Sequence, residues 1–401
     1  MESLFFRFCF LACITLFGVA CSDSVKLTGD EFFIEGEISG VEDGVVINLM
    51  RWDESIGKRV ASDTLRNGRF MFKENAESNT DKLSISPRGD DFPPMSLYVW
   101  AAPGVKIKIK GNGKMHPLWE VKSSVPYQKE QNLYTEKSRD IIAETASLST
   151  KRNDAISKIM AASSREESIP YRNIVDSIDV ISDSLMVIEY SAYVDILEKT
   201  NITSIWLDKM RIIAWLVTPS KENKEYYGEL RKKVEALYGR MSKEDKNTLH
   251  GAYITAQLFP PDIVGVGDDF ADTDLLDMSG NVKHLADYSG KYMLLDFWSR
   301  GCAPCIMALP EMKEISETYA DKLTIISISL DTDAMWKETM NEHDMPWVNI
   351  RDPKTYGGLA ANYEVHGIPN YTMISPEGKI VDKWSGFGDG YLKRKVGENI
   401  K

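Results

Sequence analysis

Phe297-Trp298-Ser299-Arg300-Gly301-Cys302-Ala303-Pro304-Cys305 is the stretch on which the reading of this chain turns. Immediately before it, Tyr292-Met293-Leu294-Leu295-Asp296 is an apolar run of the length of a buried strand. After it, Ile306, Leu309, Met312, Ile315 and Tyr319 recur at the spacing of one helix face. The two cysteines therefore stand where a strand hands over to a helix, with Cys302 near the first turn. Unpaired amides and the helix dipole favour a thiolate there, so Cys302 is expected to be acidic and nucleophilic. Cys305, about one turn further in, is placed to close a ring with it. A bare C-x-x-C also fits half of a zinc site or a structural pair. Zinc needs two more ligands, but there is no second C-x-x-C and no H-x-x-x-H. His116, His250, His284, His343 and His366 are scattered singly. The Phe-Trp strand before the cysteines favours a redox pair, with no metal site.

The 401-residue chain is long enough for two or three domains, and its 27% charged residues are ordinary for a globular protein. A net charge of −12 argues against nucleic acid as a partner. At the N-terminus, Phe8 to Ala20 is apolar and too short to span a bilayer, which is the pattern of a signal peptide over residues 1–20. Gly18-Val19-Ala20-Cys21 followed by Ser22-Asp23-Ser24 resembles a bacterial lipobox, with Gly18 where Leu is commonest. Cys21 is thus the candidate lipidation site, and residues 21–30 a lipidated tether; an ordinary signal peptide cut elsewhere is the competing reading. Of five cysteines, Cys9 and Cys13 would leave with the leader and Cys21 would carry lipid. Cys302 and Cys305 then remain as a lone thiol pair in an oxidising compartment.

Residues 31–114 carry about six or seven strand signals with turn residues between them, as a small antiparallel sandwich or barrel would. Asn67-Gly68 reads as a hairpin turn between Val60–Leu65 and Arg69–Phe72. From 115 to 258 the apolar spacing is helical, as in Ile174, Ile178, Ile181, Leu185, Ile188 and in Ile205, Met210, Ile213, Leu216. This is a helical insert or linker domain, in which Tyr190, Tyr193, Trp206, Trp215, Tyr226 and Tyr227 are packing residues. Ser242 reads as a helix start and Thr218-Pro219 as a helix stop. Past Phe259-Pro260-Pro261, residues 259–401 follow an α/β pattern. Its parts are a hairpin at Leu275 to Val282, the strand before the cysteines and a central strand Leu323–Leu330. Helices at 335–342 and 356–363, strands at 348–350, 371–374 and 379–384, and a helix at 390–396 complete it.

These residues resemble the exported thioredoxin-like reductases of the TlpA/ResA type, within the AhpC/TSA-like grouping. The likeness rests on D-F-W-x-x-x-C-x-P-C, on Gly367-Ile368-Pro369 and on Asp331 to Trp336. The N-terminal β region looks like the small β domain of some envelope lipoproteins. The resemblance implies Cys302 as nucleophile and Cys305 as resolving cysteine, with no cofactor beyond their redox-active disulfide. It implies Asp296 as a buried acid that takes the proton of Cys305, the alternative being a structural strand-end Asp. Pro369 matches a cis-proline beside the disulfide; Ile368 and Trp298 join it as candidate substrate contacts. Pro304 and Pro310 are structural, the latter kinking the active-site helix. Two positions depart from the family: Gly301 stands where Trp is usual and Ile306 where a basic residue often follows. Arg300 either offers positive charge near Cys302 or is a solvated surface Arg.

The expected function is an envelope-tethered thiol–disulfide oxidoreductase, chiefly a reductase of protein disulfides, in apocytochrome c maturation or in repair of misoxidised proteins. Expected partners are protein substrates, a membrane thiol electron donor and a lipid anchor, with localisation in the periplasm or cell envelope. Two other readings stand beside it. A thiol peroxidase would want Pro at Leu295, though Ser299 fits its motif. A non-enzymatic ligand-binding lipoprotein would use the domain only as a scaffold.

Overall fold

The computed structural model describes residues 25–53, 56–218 and 227–400. The stretch expected as a leader, the candidate lipidation site Cys21, Pro219 and Tyr226 lie outside them. The chain divides into two compact units, residues up to 132 with 149–151, and residues 133–148 with 152–401.

In the first unit, strands β1 (Glu31–Ser39), β2 (Val46–Asp53), β3 (Ile56–Thr64), β4 (Arg69–Asn75), β5 (Asp81–Pro87), β6 (Leu97–Ala101), β7 (Lys106–Asn112) and β8 (Glu120–Lys122) form two four-stranded sheets. Their orders are β4-β1-β7-β8 and β3-β2-β5-β6. Side chains alternate across each sheet. Ile34 and Ile107 from one sheet and Ile47, Leu49 and Leu83 from the other are fully buried in a shared core. Lys108, between the two β7 isoleucines, faces outward and pairs with Glu35 on β1.

Three expectations change here. The sandwich is mixed rather than antiparallel, because β1 pairs with β7 in parallel. Asn67-Gly68 does form a tight turn, with positive φ at both residues, but only the Arg66–Arg69 bridge follows from it. β3 and β4 then enter different sheets, so the turn joins sheets instead of closing a hairpin. Residues 115–122 are not α-helical: His116–Leu118 makes a single 3-10 turn and Glu120–Lys122 is a strand. Trp119 and Val121 are buried while Glu120 and Lys122 are exposed, and this alternation adds β8 to the edge of β7.

The helices are α1 (Pro126–Lys137), α2 (Arg139–Ala161), α3 (Arg165–Leu197), α4 (Ser204–Leu216), α5 (Gly228–Gly239), α6 (Lys243–Asn247) and α7 (Leu249–Leu258). Ser242 caps α6 in a reciprocal capping box with Asp245. Ile205, Met210, Ile213 and Leu216 are buried on α4 as their spacing requires. Of the five residues read as one stripe on α3, Ile178 and Leu185 are buried and Ile174, Ile181 and Ile188 are exposed, so the helical period marked a wider stripe than the packing covers. Trp206 and Tyr193 are packed inside, whereas Trp215 is half exposed.

The last part of the second unit holds a seven-stranded sheet. Its strands are β9 (Leu275–Leu276), β10 (Val282–Lys283), β11 (Tyr292–Trp298), β12 (Leu323–Ser329), β13 (Val348–Arg351), β14 (Asn370–Ile374) and β15 (Ile380–Ser385). Their order is β10-β9-β13-β12-β11-β14-β15. β11, β12 and β13 run parallel, and β14 and β15 return antiparallel. Helices α8 (Ala303–Thr318), α9 (Asp333–Glu342), α10 (Leu359–Asn362) and α11 (Tyr391–Asn399) complete the fold. Met293, Leu295 and Phe297 face the core lined by Leu359 and Tyr363, while Leu294 packs with Met312, Ile315 and Val396. α10 is a single turn because the segment expected as one helix starts as a 3-10 turn, Thr355–Gly357. α7 packs on this turn so closely that a Cβ on Gly357 would stand 2.4 Å from the Ala252 carbonyl carbon.

A dithiol site at the strand-to-helix turn

β11 ends at Trp298, and its neighbour β12 ends level with it at Ser329, so the turn at 299–302 emerges from the middle of the sheet. Cys302 is the N-cap of α8 and is 9% exposed. Its sulfur accepts the Cys305 N–H at 3.2 Å, and its carbonyl accepts the N–H groups of Cys305 and Ile306. The sulfur therefore sits at the positive end of the helix, the position that favours a thiolate over a thiol. Cys305, 4% exposed, forms a disulfide with Cys302. Pro304 lies in the first helical turn, where its missing N–H leaves no bond unmade. Pro310, inside α8, removes the N–H that would bond to the Ile306 carbonyl.

Behind the disulfide, Trp298, Trp336 and Met345 form one buried cluster with both cysteines, and Ile368 packs against it. Trp298 is 1% exposed, which corrects its assignment as a substrate contact: its ring is buried in the cluster with both cysteines. The Ile368–Pro369 peptide is cis. Ile368 is half-buried and Pro369 buried.

Asp296 shares its face of β11 with Trp298, two residues on. Its carboxyl is buried and accepts a hydrogen bond from Ser327 Oγ at 2.7 Å. Ser327 Oγ in turn accepts from Trp347 Nε1 at 2.8 Å, and Trp347 packs against the cysteine cluster. Burial pushes the Asp296 pKa up to about 7, with the Ser327 bond pulling the other way.

Sequence reasoning counted Asp331 in a family motif but gave it no task, and Asp331 is the group that holds the turn itself. Asp331, 5% exposed, accepts from Ser299 Oγ at 2.7 Å, from the Arg300 N–H at 2.8 Å and from Ser329 Oγ at 3.1 Å. A charged residue directly after the apolar run Leu323–Leu330 was the available signal. The Arg300 guanidinium pairs with Glu338 and Glu342 of α9. It is neither free at Cys302 nor solvated alone.

Residues 266–383 match the AhpC/TSA family. The thiol-disulfide oxidoreductase ResA of Bacillus thuringiensis is 27% identical over 141 residues, covering 35% of this chain and 78% of that protein. This part of the chain is a thioredoxin-like oxidoreductase domain of the TlpA/ResA type. The thioredoxin-like protein YneN of Bacillus subtilis is 28% identical to this oxidoreductase over 120 residues, covering 29% of this chain and 69% of YneN. Among solved structures, the thioredoxin domain of a thiol-disulfide oxidoreductase from Bacteroides vulgatus is 29% identical, covers 34% of this chain and 99% of its own, and gives a TM-score of 0.32. These matches cover between 29% and 35% of the chain.

Proposed function

We propose that this oxidoreductase reduces protein disulfides through Cys302 and Cys305. The observation that carries the reading is Cys302 at the α8 N-terminus, joined to Cys305 in a buried aromatic cluster. In the reduced protein the Cys302 thiolate attacks one sulfur of a substrate disulfide, and the other substrate sulfur leaves as a thiolate that takes a proton. Cys305 then attacks Cys302 in the mixed disulfide, closes the Cys302–Cys305 bond and releases the second substrate thiol. Two electrons and two protons pass to the substrate. Asp296, poised near neutrality, is suited to accept the Cys305 proton through the buried face it shares with Trp298. A docked chain would lie against half-buried Ile368, beside Pro369, in the manner of strand addition. No metal or organic cofactor enters this chemistry; the disulfide is the redox group. Regeneration requires a thiol donor, for which a membrane thiol-transfer protein is the fitting class.

A thiol peroxidase is less well supported. Leu295 is fully buried in the sheet, and the Ser299 hydroxyl is committed to Asp331. Cys305→Ser should trap a mixed disulfide between Cys302 and a disulfide-bonded protein, and Cys302→Ser should trap none. Trapping by neither variant would sink the proposal.

The envelope location rests on the leader and the lipobox-like Cys21, and among the described residues no helix is long and apolar enough to cross a membrane. A lipid tether predicts that the full chain sediments with membranes and that Cys21→Ser releases it. Membrane retention of Cys21→Ser would argue for another anchor.

A further inference from the structure

The turn before Cys302 is held by an acid, although an acid is the charge that a thiolate at that place tolerates least. Ser299, Arg300 and Gly301 form the whole link between β11 and the nucleophile. Asp331 accepts from the first two, and the Gly301 N–H is held by Ser299 Oγ at 3.2 Å. The Cys302 N–H closes the turn on the Ser299 carbonyl at 3.0 Å. The one cation in the turn, Arg300, is drawn onto α9 by Glu338 and Glu342. The local balance is therefore a buried acid bonded to the turn that carries the nucleophile and a positive charge drawn onto α9.

We propose that Asp331 is a positioning residue for Cys302 and that its charge keeps the Cys302–Cys305 couple on the reducing side. The inference rests on the dithiol–disulfide reading above and deepens it. A thiolate at Cys302 stabilises the reduced pair, and stabilising the reduced pair makes a couple more oxidising. The helix N-terminus pushes in that direction. Asp331 opposes it while fixing the turn so that the sulfur stays at the N-cap. The elements around Cys302 carry Asp296 on β11, Arg300 in the turn, Glu311, Lys313, Glu314 and Glu317 on α8, Asp331 after β12, Asp333, Lys337, Glu338 and Glu342 on α9, His343 just after it, Tyr356 in the 3-10 turn and His366 ahead of Pro369. Of these, Asp331 alone accepts a backbone N–H of the turn, among the hydrogen bonds described.

The test uses the leader-free chain, reduced, as wild type, Asp331→Asn, Asp331→Glu and Ser299→Ala. Thiolate absorbance is followed against pH, and the Cys302–Cys305 pair is equilibrated with a glutathione redox series. Asn keeps the size of the side chain, and the serine hydroxyls can turn to accept from its amide. Asp331→Asn should lower the thiolate midpoint by about one pH unit and shift the equilibrium about tenfold toward the dithiol, about 30 mV. Asp331→Glu, which keeps the charge, should stay near wild type. Ser299→Ala removes one donor from the carboxylate and should move the midpoint the other way, which keeps the idea testable should Asp331→Asn not fold. Variants that all share the wild-type midpoint and equilibrium, with exchange slowed equally at every pH, would reduce Asp331 to a structural role. A wild type that never equilibrates with glutathione would instead overturn the dithiol reading itself.

Discussion

Replacing Asp296 by Asn should stabilise this protein while slowing its chemistry, and the gain should grow with pH in a defined window. Asp296 is buried, and burial raises its pKa from the ordinary 3.8 to about 7. The native state therefore keeps a proton that the unfolded chain has already released between those two values. Below about pH 4 both states are protonated and the group costs nothing. As pH rises the unfolded state gains, at about 1.4 kcal/mol per unit, until the folded carboxyl also ionises near pH 7. The penalty then levels off at about 4 kcal/mol, an order-of-magnitude figure for roughly three units. Asn cannot ionise, yet its carbonyl oxygen can still accept from Ser327 Oγ. The difference in unfolding free energy between Asp296→Asn and wild type, both oxidised, should thus climb from pH 4 to 7 and be flat above. Urea unfolding followed by hydrogen exchange of the β11 peptide reads this transition separately from the rest of the chain. Stability curves that run parallel from pH 4 to 8 would refute the buried-acid assignment.

Ser327→Ala removes the hydrogen bond that lowers the Asp296 pKa, so the window should extend above pH 7; an unmoved upper limit would show the bond to be idle. Gly357→Ala places a methyl group against the Ala252 backbone and should destabilise the packing of α7 by about 1–3 kcal/mol, measured as a lower urea midpoint. Ile326→Ala, in the middle of the sheet and fully buried, should cost about 2–5 kcal/mol by the same measurement.

The α/β part of the chain was legible because its signals are local and redundant. An apolar run, a C-x-x-C and a helical period follow one another without a gap, and β11 and α8 stand where they indicate. Strand pairing over long distances was not legible. Nothing in Arg69–Phe72 tells a hairpin partner of β3 from an edge strand beside β1, since either pairing buries Phe70 and Phe72. Helical spacing alone also could not separate Ile178 from Ile181, because the direction of a stripe depends on which helices pack beside it. At the site, the cysteines and Asp296 could be named from the sequence. Asp331 could not be given a task, because its partners Ser299 and Arg300 lie about thirty residues away and meet it only once β11 and β12 are paired. Arg300 was open between two readings, and its fate was decided by Glu338 and Glu342 on a helix formed later in the chain.

The central claim is that Cys302 and Cys305 form a reducing couple, and their reduction potential tests it most directly. Thiol trapping of the leader-free chain across a glutathione redox series gives the value. The account predicts a potential near or below about −230 mV, toward the thioredoxin end of the scale. A value near about −120 mV would make the protein an oxidant of thiols and contradict it.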